Sequence, residues 1–279
     1  MSSDSEQIRQ KVRGGYSVIA RKEASSCCGP TSCCGKGNTT SLVKNLGYSS
    51  DDLTAVPESA NMGLSCGNPS AIASLKEGEV VLDLGSGGGF DAFVAGRRVG
   101  RTGRVVGVDM TPDMISLARR NNAEYQKSSG FENVEFRLGE IEHLPIETSS
   151  VDVILSNCVL NLSPDKPQVW RDISRVLKPG GRVIISDLLL KKPLPAKVKE
   201  SVQALVGCVA GAATLSETRT MIAAAGLLEP DYDEKTGAIS AMIDTNSDLY
   251  QELTSAIPGE RVEDYVASFT IRTQKPRIG

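Results

Sequence analysis

The stretch EVVLDLGSGGG, residues 79–89, most constrains the fold, because a short apolar run passes directly into a cluster of glycines. An apolar run of this length predicts a buried strand, and the glycines predict a tight turn that opens a helix over 88–98. A second apolar run, GRVVGVDM at 103–110, ends in an acidic residue. Two strands joined by a glycine turn and a helix are typical of a parallel βαβ unit.

The alternation of strands and helices continues beyond this unit. It predicts an α/β protein with a doubly wound, Rossmann-like parallel sheet. Trp170 lies in one of the later helices, and we expect it to pack against the sheet. The further expected elements are helices over 112–128 and 165–177 and strands over 133–138, 151–155 and 181–187.

A helix is expected near the start of the chain, because apolar side chains recur every three or four residues over 5–22. A stretch rich in Cys, Gly and Ser follows at 24–40, and its composition predicts a loop. We assign the helix and this loop to an N-terminal segment, 1–74. The apolar face of the helix carries Ile8, Val12, Tyr16 and Ile19.

Past residue 187 the pattern becomes less regular. We therefore expect the sheet domain to cover 75–189 and a smaller α+β domain, which caps the sheet, to cover 190–279. Ser216 is the expected N-cap of a helix in this second part. The elements expected there are helices over 194–214 and 216–227 and strands over 237–243 and 266–273.

The composition excludes several classes of function. The chain has 279 residues, 40% of them hydrophobic and 23% charged, with a net charge of -3 and no basic cluster, so nucleic acid is not an expected partner. No apolar run approaches the roughly 20 residues that cross a bilayer, and MSSDSEQIRQ lacks the apolar core of a secretory signal. We therefore expect a cytoplasmic protein, and we expect it to be a monomer. His143 is the only histidine, which argues against a histidine base.

The glycine turn has the features of a ligand-binding loop. Asp109 lies 24 residues after Gly85, where a doubly wound fold places a carboxylate that holds ribose hydroxyls. A dinucleotide site would show the spacing G-x-G-x-x-G in front of a diphosphate. Asp83 lies two residues before the first glycine, and a carboxylate there suits a cationic ligand better than a diphosphate. A tight turn without a ligand is the remaining alternative.

The seven cysteines fall into two groups. In a reducing cytosol they are expected to be thiols that serve metal binding or catalysis rather than structural bridges. Cys66, Cys158 and Cys208 are isolated, and each could be a small buried hydrophobic residue. Cys158, however, follows the strand at 151–155, and ligands bind at the carboxyl ends of such strands. The others form two adjacent pairs in SSCCGPTSCCG: Cys27, Cys28, Cys33 and Cys34.

Several motifs together resemble the class I S-adenosylmethionine (SAM) methyltransferases. DLGSGGG at 83–89 resembles their first motif, 138–162 the segment that flanks adenine, and 176–187 their late turn and strand. The resemblance implies SAM as the methyl donor. For Met110 and Asn157 a structural role is the alternative to a SAM contact. The implied SAM-binding residues are Asp83, Gly85, Ser86, Gly87, Asp109, Met110, Ile141, Glu142 and Asn157.

A narrower resemblance is to the arsenite methyltransferases. It is carried by VRGGYSVIARKEASSCC, GLSCGNP, GEIEHLP, SNCVLNL and the apolar segment around Cys208, in this order. It implies that Cys66, Cys158 and Cys208 bind trivalent arsenic, which is the substrate, with no metal cofactor. Soft ions such as arsenic(III) prefer thiolates.

The same resemblance implies that a fourth cysteine, for which Cys34 is our choice, takes part in a redox cycle renewed by glutathione or thioredoxin. The segment 1–74 would then deliver arsenic, and 190–279 would help to bind it. Two other hypotheses stay open: a SAM methyltransferase acting on a small organic nucleophile, and a zinc-binding or redox-sensing thiol module built on the two cysteine pairs.

Overall fold

The computed structural model describes residues 3–21, 56–62, 75–195, 209–235 and 248–277. The expected strand at 237–243 and most of the expected helix at 194–214 lie outside these residues.

The centre of the protein is a sheet whose described strands lie in the order β3-β2-β1-β4-β5-β7-β6. Strands β1 to β5 are parallel, whereas β7 runs antiparallel to both of its neighbours. The chain reverses its direction across the sheet between β1 and β4, so a crevice is expected where these two strands end. The strands are β1 Val80–Leu84, β2 Arg104–Asp109, β3 Val134–Leu138, β4 Val151–Asn157, β5 Leu177–Leu190, β6 Asp231–Lys235 and β7 Val266–Gln274.

Helices connect β1 to β2, β2 to β3 and β4 to β5, as the sequence pattern predicted, whereas a loop joins β3 to β4. A glycine follows two of them in a positive-φ conformation, Gly100 after α2 and Gly130 after α3, which ends each helix without steric strain. None of the described helices is long and apolar enough to span a membrane. The helices are α1 Ser3–Arg21, α2 Phe90–Val99, α3 Pro112–Ser129, α4 Lys166–Val176, α5 Leu215–Ala224 and α6 Asp248–Ala256.

Two apolar layers cover the faces of the sheet. On one face Phe93 stacks on Tyr125 with 4.9 Å between ring centroids and meets Phe136 edge-on at 5.5 Å. On the other face Trp170 from α4 is 1% exposed and packs into the cluster that includes Leu82 and Ile185. The expected packing of Trp170 against the sheet is therefore confirmed.

The C-terminal part of the chain completes the same sheet. Strand β5 continues to Leu190, and every residue of β7 pairs with a residue of β5. The expected division at 189/190 therefore does not follow the edge of the sheet, because β6 and β7 belong to it. Strand β6 was not predicted, since its sequence DYDEK is polar and lacks the apolar alternation of a half-buried strand.

A third apolar cluster closes the carboxyl edge of the sheet. It joins Val12 of α1 to Cys158, which follows β4, and to Leu188 of β5. C-terminal residues, among them Ile257 and Val266, belong to the same cluster. Residues of α1 and residues 257–266 thus meet over the carboxyl ends of β4 and β5.

The N-cap of α5 is Thr214 and not the expected Ser216. The Thr214 hydroxyl accepts a hydrogen bond from the Glu217 backbone N–H at 3.2 Å. In return, the Glu217 carboxylate accepts one from the Thr214 backbone N–H at 2.8 Å. This reciprocal pair needs an acid three residues after the cap, and Arg219 stands at that position relative to Ser216.

Replacing Thr214 by alanine should lower the free energy of unfolding by about 1 kcal/mol, because the first turn of α5 loses its cap. Ser216→Ala is the matched control, since Ser216 is exposed and should change the stability by less than about 0.5 kcal/mol. Urea unfolding of both variants checks this. Equal losses would contradict the assignment of the cap.

Candidate functional site

A pocket lies at the carboxyl ends of β1, β2 and β4, at the crevice that the strand order predicts. Its lining combines acidic side chains, the glycine turn and apolar side chains from several elements. The glycine turn forms its floor, and α1 contributes one wall. All the expected SAM-binding residues line this pocket: Asp83, Gly85, Ser86, Gly87, Asp109, Met110, Ile141, Glu142 and Asn157.

The glycine turn is shaped by close contact with the segment after β4. Strand β1 pairs with β4, which places Leu84 opposite Ser156. A Cβ atom on Gly85 would lie 2.0 Å from Cγ2 of Val159, and Gly85 has φ +67°. Only glycine fits both the contact and the conformation. The turn and the end of β4 therefore form one continuous surface.

Asp109 ends β2 and fixes the glycine turn. Its carboxylate accepts hydrogen bonds from the backbone N–H of Gly87 at 3.0 Å and of Thr111 at 2.8 Å. Burial raises the pKa of Asp109, and these N–H groups partly offset that rise because they stabilise the charged form. A carboxylate has about four acceptor positions, so Asp109 retains acceptors for a ligand in the pocket.

Two more carboxylates make the pocket acidic. Asp83 is 2% exposed, and its Oδ2 has no hydrogen-bond partner among the described residues. Its pKa is raised well above the usual value, first by burial and then by the negative charges of Asp91 and Asp109. An unsatisfied acceptor beside two other acids is costly unless a donor or a cation arrives. The site is therefore suited to a positively charged ligand.

The remaining pocket residues differ in how they are held. The Asn157 amide donates to Asp91 at 3.2 Å, so part of its hydrogen-bonding capacity serves the protein. Ser86 is buried, and its Oγ has no partner among the described residues. Met110 and Ile141 are half-buried and present apolar surface.

Glu142 is more deeply engaged than the sequence suggested. Its carboxylate accepts hydrogen bonds from Ser163 at 2.7 Å and from Arg9 of α1 at 3.3 Å. Arg9 also forms an ion pair with Glu140 at 3.3 Å, and Arg13 pairs with the same Glu140 at 2.6 Å. These pairs dock α1 on the loop that follows β3.

Cys158 follows β4 directly and lines the pocket. It is 7% exposed, and its backbone is left-handed with φ 54°, which is uncommon for a residue with a Cβ atom. Cys158 is disulfide-bonded in the structure, which differs from the expected thiol.

The other expected arsenic-site residues, Cys34, Cys66 and Cys208, lie outside the described residues, as do Cys27, Cys28 and Cys33. Within the described ranges no group of three or more His, Cys, Asp or Glu side chains could hold a metal ion. His143 is exposed, as expected for a loop residue.

The sequence reasoning missed Arg9 and Asp91. Arg9 lies three residues before Val12 and seven before Tyr16, so all three share one face of α1, and all three line the pocket. This spacing was the available signal, but a charged residue was not counted as part of an apolar face. Asp91 lies in the first turn of α2. An acid at this position is common because it stabilises the helix, so the sequence did not indicate a role for Asp91 in the pocket.

Known proteins resemble this chain in sequence and structure. Residues 75–226, more than half of the chain, match the family described as a methyltransferase domain. An arsenite methyltransferase of Halobacterium salinarum is 46% identical over 264 residues, which cover 91% of this chain and 66% of the relative. One of Aquipseudomonas alcaligenes is 35% identical over 227 residues, which cover 80% and 63%.

The chain thus spans slightly less than two thirds of these curated relatives. A solved structure of an arsenic (III) S-adenosylmethionine methyltransferase from Chlamydomonas reinhardtii matches with a TM-score of 0.61 and 30% identity, over 85% of this chain and 74% of that one. These matches confirm the family that the motifs suggested. The chain belongs to the methyltransferase domain family and, within it, to the arsenite methyltransferases of the class I SAM-dependent superfamily.

Proposed function

We propose that the protein transfers the methyl group of SAM to trivalent arsenic held by cysteine thiolates. The observation that carries the proposal is the position of Cys158, which shares one pocket with the glycine turn and the acid at the end of β2. The names of the two curated relatives and of the solved structure reported above support the same reaction. Detoxification of arsenic is the corresponding cellular role.

The residues present fit SAM. When bound, SAM supplies an electrophilic methyl group on a positively charged sulfur. Oδ2 of Asp83, which has no hydrogen-bond partner in the described part of the chain, suits the cationic end of such a ligand, and Asp109 retains acceptors for ribose hydroxyls. Gly85 and Gly87 let a ligand approach the backbone. We assign apolar contacts with adenine to Met110 and Ile141, and a polar contact to Ser86 or Asn157.

Glu142 acts differently in this proposal. Since its carboxylate already binds Arg9 and Ser163, it supports the wall of the pocket and not the adenine directly. The buried Arg9 then holds α1 across the pocket and helps to exclude water, which strengthens electrostatic interactions inside.

Arsenic(III) is the substrate, and we assign its binding to Cys66, Cys158 and Cys208. Three thiolates leave arsenic with a lone pair, which can form the new bond to the methyl carbon while the carbon–sulfur bond of SAM breaks. No proton has to be removed, so no histidine base is needed. Positioning the arsenic about 3–3.5 Å from the methyl group then accounts for much of the acceleration.

Methyl transfer raises arsenic formally from the trivalent to the pentavalent state. Two thiols can return it to the trivalent state by giving up two electrons and forming a disulfide. We assign one of these thiols to Cys34, and glutathione or thioredoxin would reduce the disulfide again. We further propose that the protein acts as a monomer in a reducing compartment such as the cytoplasm.

The decisive test is methylation of arsenite by reduced protein, SAM and glutathione, followed by mass spectrometry of the products. Cys66→Ser, Cys158→Ser and Cys208→Ser should each lower the rate by about 100-fold or more, because arsenic loses a ligand and its alignment with the methyl group. Cys27→Ser is the matched control and should retain the rate. Activity that survives all three changes would rule out the three-thiolate site.

A glycine substitution tests the SAM pocket. Gly85→Ala should weaken SAM binding at least about tenfold, because the added methyl group displaces Val159. Gly226→Ala separates this contact from backbone strain, since Gly226 has φ +75° but no atom within 4 Å of a Cβ. The control should cost about 1–2 kcal/mol of stability and leave the dissociation constant of SAM unchanged. Calorimetric titration with SAM distinguishes the two variants.

An arginine substitution tests the docking of α1. Arg9→Met should lower the free energy of unfolding by about 3 kcal/mol, because the buried Glu142 loses its cation, and should weaken SAM binding as the wall loosens. Arg21→Met removes an exposed ion pair with Asp113 from the same helix and should cost less than about 1 kcal/mol. Unfolding and SAM titration measure both effects; wild-type SAM affinity in Arg9→Met would refute the role of α1.

A further inference from the structure

The turn that follows β4 contains an unfavourable backbone conformation. Cys158 has φ 54°, and Ser149 is the other non-glycine residue with positive φ among those described. A residue with a Cβ atom keeps this conformation only where its neighbours enforce it. The contacts that hold the backbone of Cys158 therefore contribute to the position of its sulfur, beside the disulfide bond that the sulfur forms in the structure.

One set of contacts holds the start of the turn. Asn157 is the last residue of β4 and pairs with Ser186 of β5. The backbone N–H of Cys158 donates to the carbonyl of the same Ser186 at 2.8 Å. These contacts fix Asn157 and the backbone N–H of Cys158. They do not fix the residues that follow Cys158.

The carboxylate of Asp187 holds the next part of the turn. Asp187 of β5 accepts a hydrogen bond from the backbone N–H of Leu160 at 3.0 Å and one from the Asn161 amide at 2.9 Å. The Asn161 amide also donates to the carbonyl of Leu188 at 2.6 Å. The short helix Leu160–Leu162 is thereby attached to β5 by side chains of both partners.

This attachment lies in the interior. Asp187 is 1% exposed and Asn161 is 3% exposed. Burial raises the pKa of Asp187 to about 7, while the N–H groups of the turn and of β5 oppose the rise. The backbone pairing of β5 with β4 and β7 does not require a carboxylate at this position. Its hydrogen bonds instead serve the segment that carries Cys158.

The turn also forms part of the pocket wall. Val159 separates Cys158 from the short helix, and its side chain lies against Gly85. A displacement of the turn would therefore move the sulfur relative to the glycine turn, where the methyl donor is expected.

We propose that Asp187 is a positioning residue, whose carboxylate, together with Asn161, fixes the turn Cys158–Leu162 and so directs the Cys158 sulfur toward the glycine turn. The proposal rests on the proposed function for its consequence in catalysis. Its geometric part concerns only the placement of one thiol.

Asp187→Asn tests this in the full-length, reduced protein. An asparagine has one acceptor oxygen where the carboxylate has two, so one N–H of the turn or of β5 meets an NH2 group. Asp152→Asn is the matched control, because Asp152 also accepts a backbone hydrogen bond, from Val80 at 2.9 Å, but at the opposite end of β4. Asn161→Ala removes the amide that donates to Asp187. This variant replaces Asp187→Asn in the test if Asp187→Asn does not fold.

Two measurements are made on each variant: the rate at which iodoacetamide alkylates Cys158, resolved by peptide mass spectrometry, and kcat and KM for arsenite methylation. We expect alkylation of Cys158 to accelerate about tenfold in Asp187→Asn, since a buried hydrogen bond is lost. We expect kcat to fall about tenfold or more, with a smaller change in KM for SAM. Asp152→Asn should match the wild type in both measurements.

Alkylation at the rate of the control overturns the proposal, whatever happens to kcat, because the thiol has then not moved. Faster alkylation with unchanged kcat overturns the catalytic consequence. If the wild-type protein does not methylate arsenite, the proposed function fails, and the alkylation rates still decide whether Asp187 positions Cys158.

Discussion

The contact between Gly85 and Val159 is the constraint on which the rest of the site depends. A Cβ atom at position 85 would lie 2.0 Å from Cγ2 of Val159, so the two segments leave no room for a side chain between them. One segment carries the ligand-binding turn and the other carries Cys158. Because β1 and β4 are neighbours only in the sheet and not in the chain, their pairing brings together two kinds of chemistry that are 70 residues apart or more.

The charges around the pocket follow from the same topology. Three acids converge from different elements: Asp83 from β1, Asp91 from α2 and Asp109 from β2. Burial and the charges of Asp91 and Asp109 disfavour a negative charge on Asp83, and a cationic ligand would offset this cost. The opposing Arg9 does not neutralise this group, because it is engaged with Glu140 and Glu142. The binding of a ligand and the docking of α1 therefore depend on separate sets of charges.

The sequence predicted the parallel part of the fold well because apolar strands, glycine turns and amphipathic helices are local signals. It failed for β6, whose polar residues pair only because β7 offers them a partner. It also misplaced the cap of α5, since several serine and threonine residues precede that helix and only the partner Glu217 distinguishes Thr214. In the site, Asp83, Gly85 and Asp109 carry a local motif, whereas Arg9 and Asp187 become significant only through contacts made after folding.

The burial of Trp170 has an optical consequence. It is the only tryptophan in the chain; it is buried between α4 and the sheet and does not itself line the pocket. Its emission therefore reports the integrity of this one apolar layer. A ligand entering the pocket should leave the spectrum nearly unchanged, whereas loss of the layer should shift it to longer wavelengths as water reaches the indole. Fluorescence thus separates unfolding from occupancy in this protein without an introduced label.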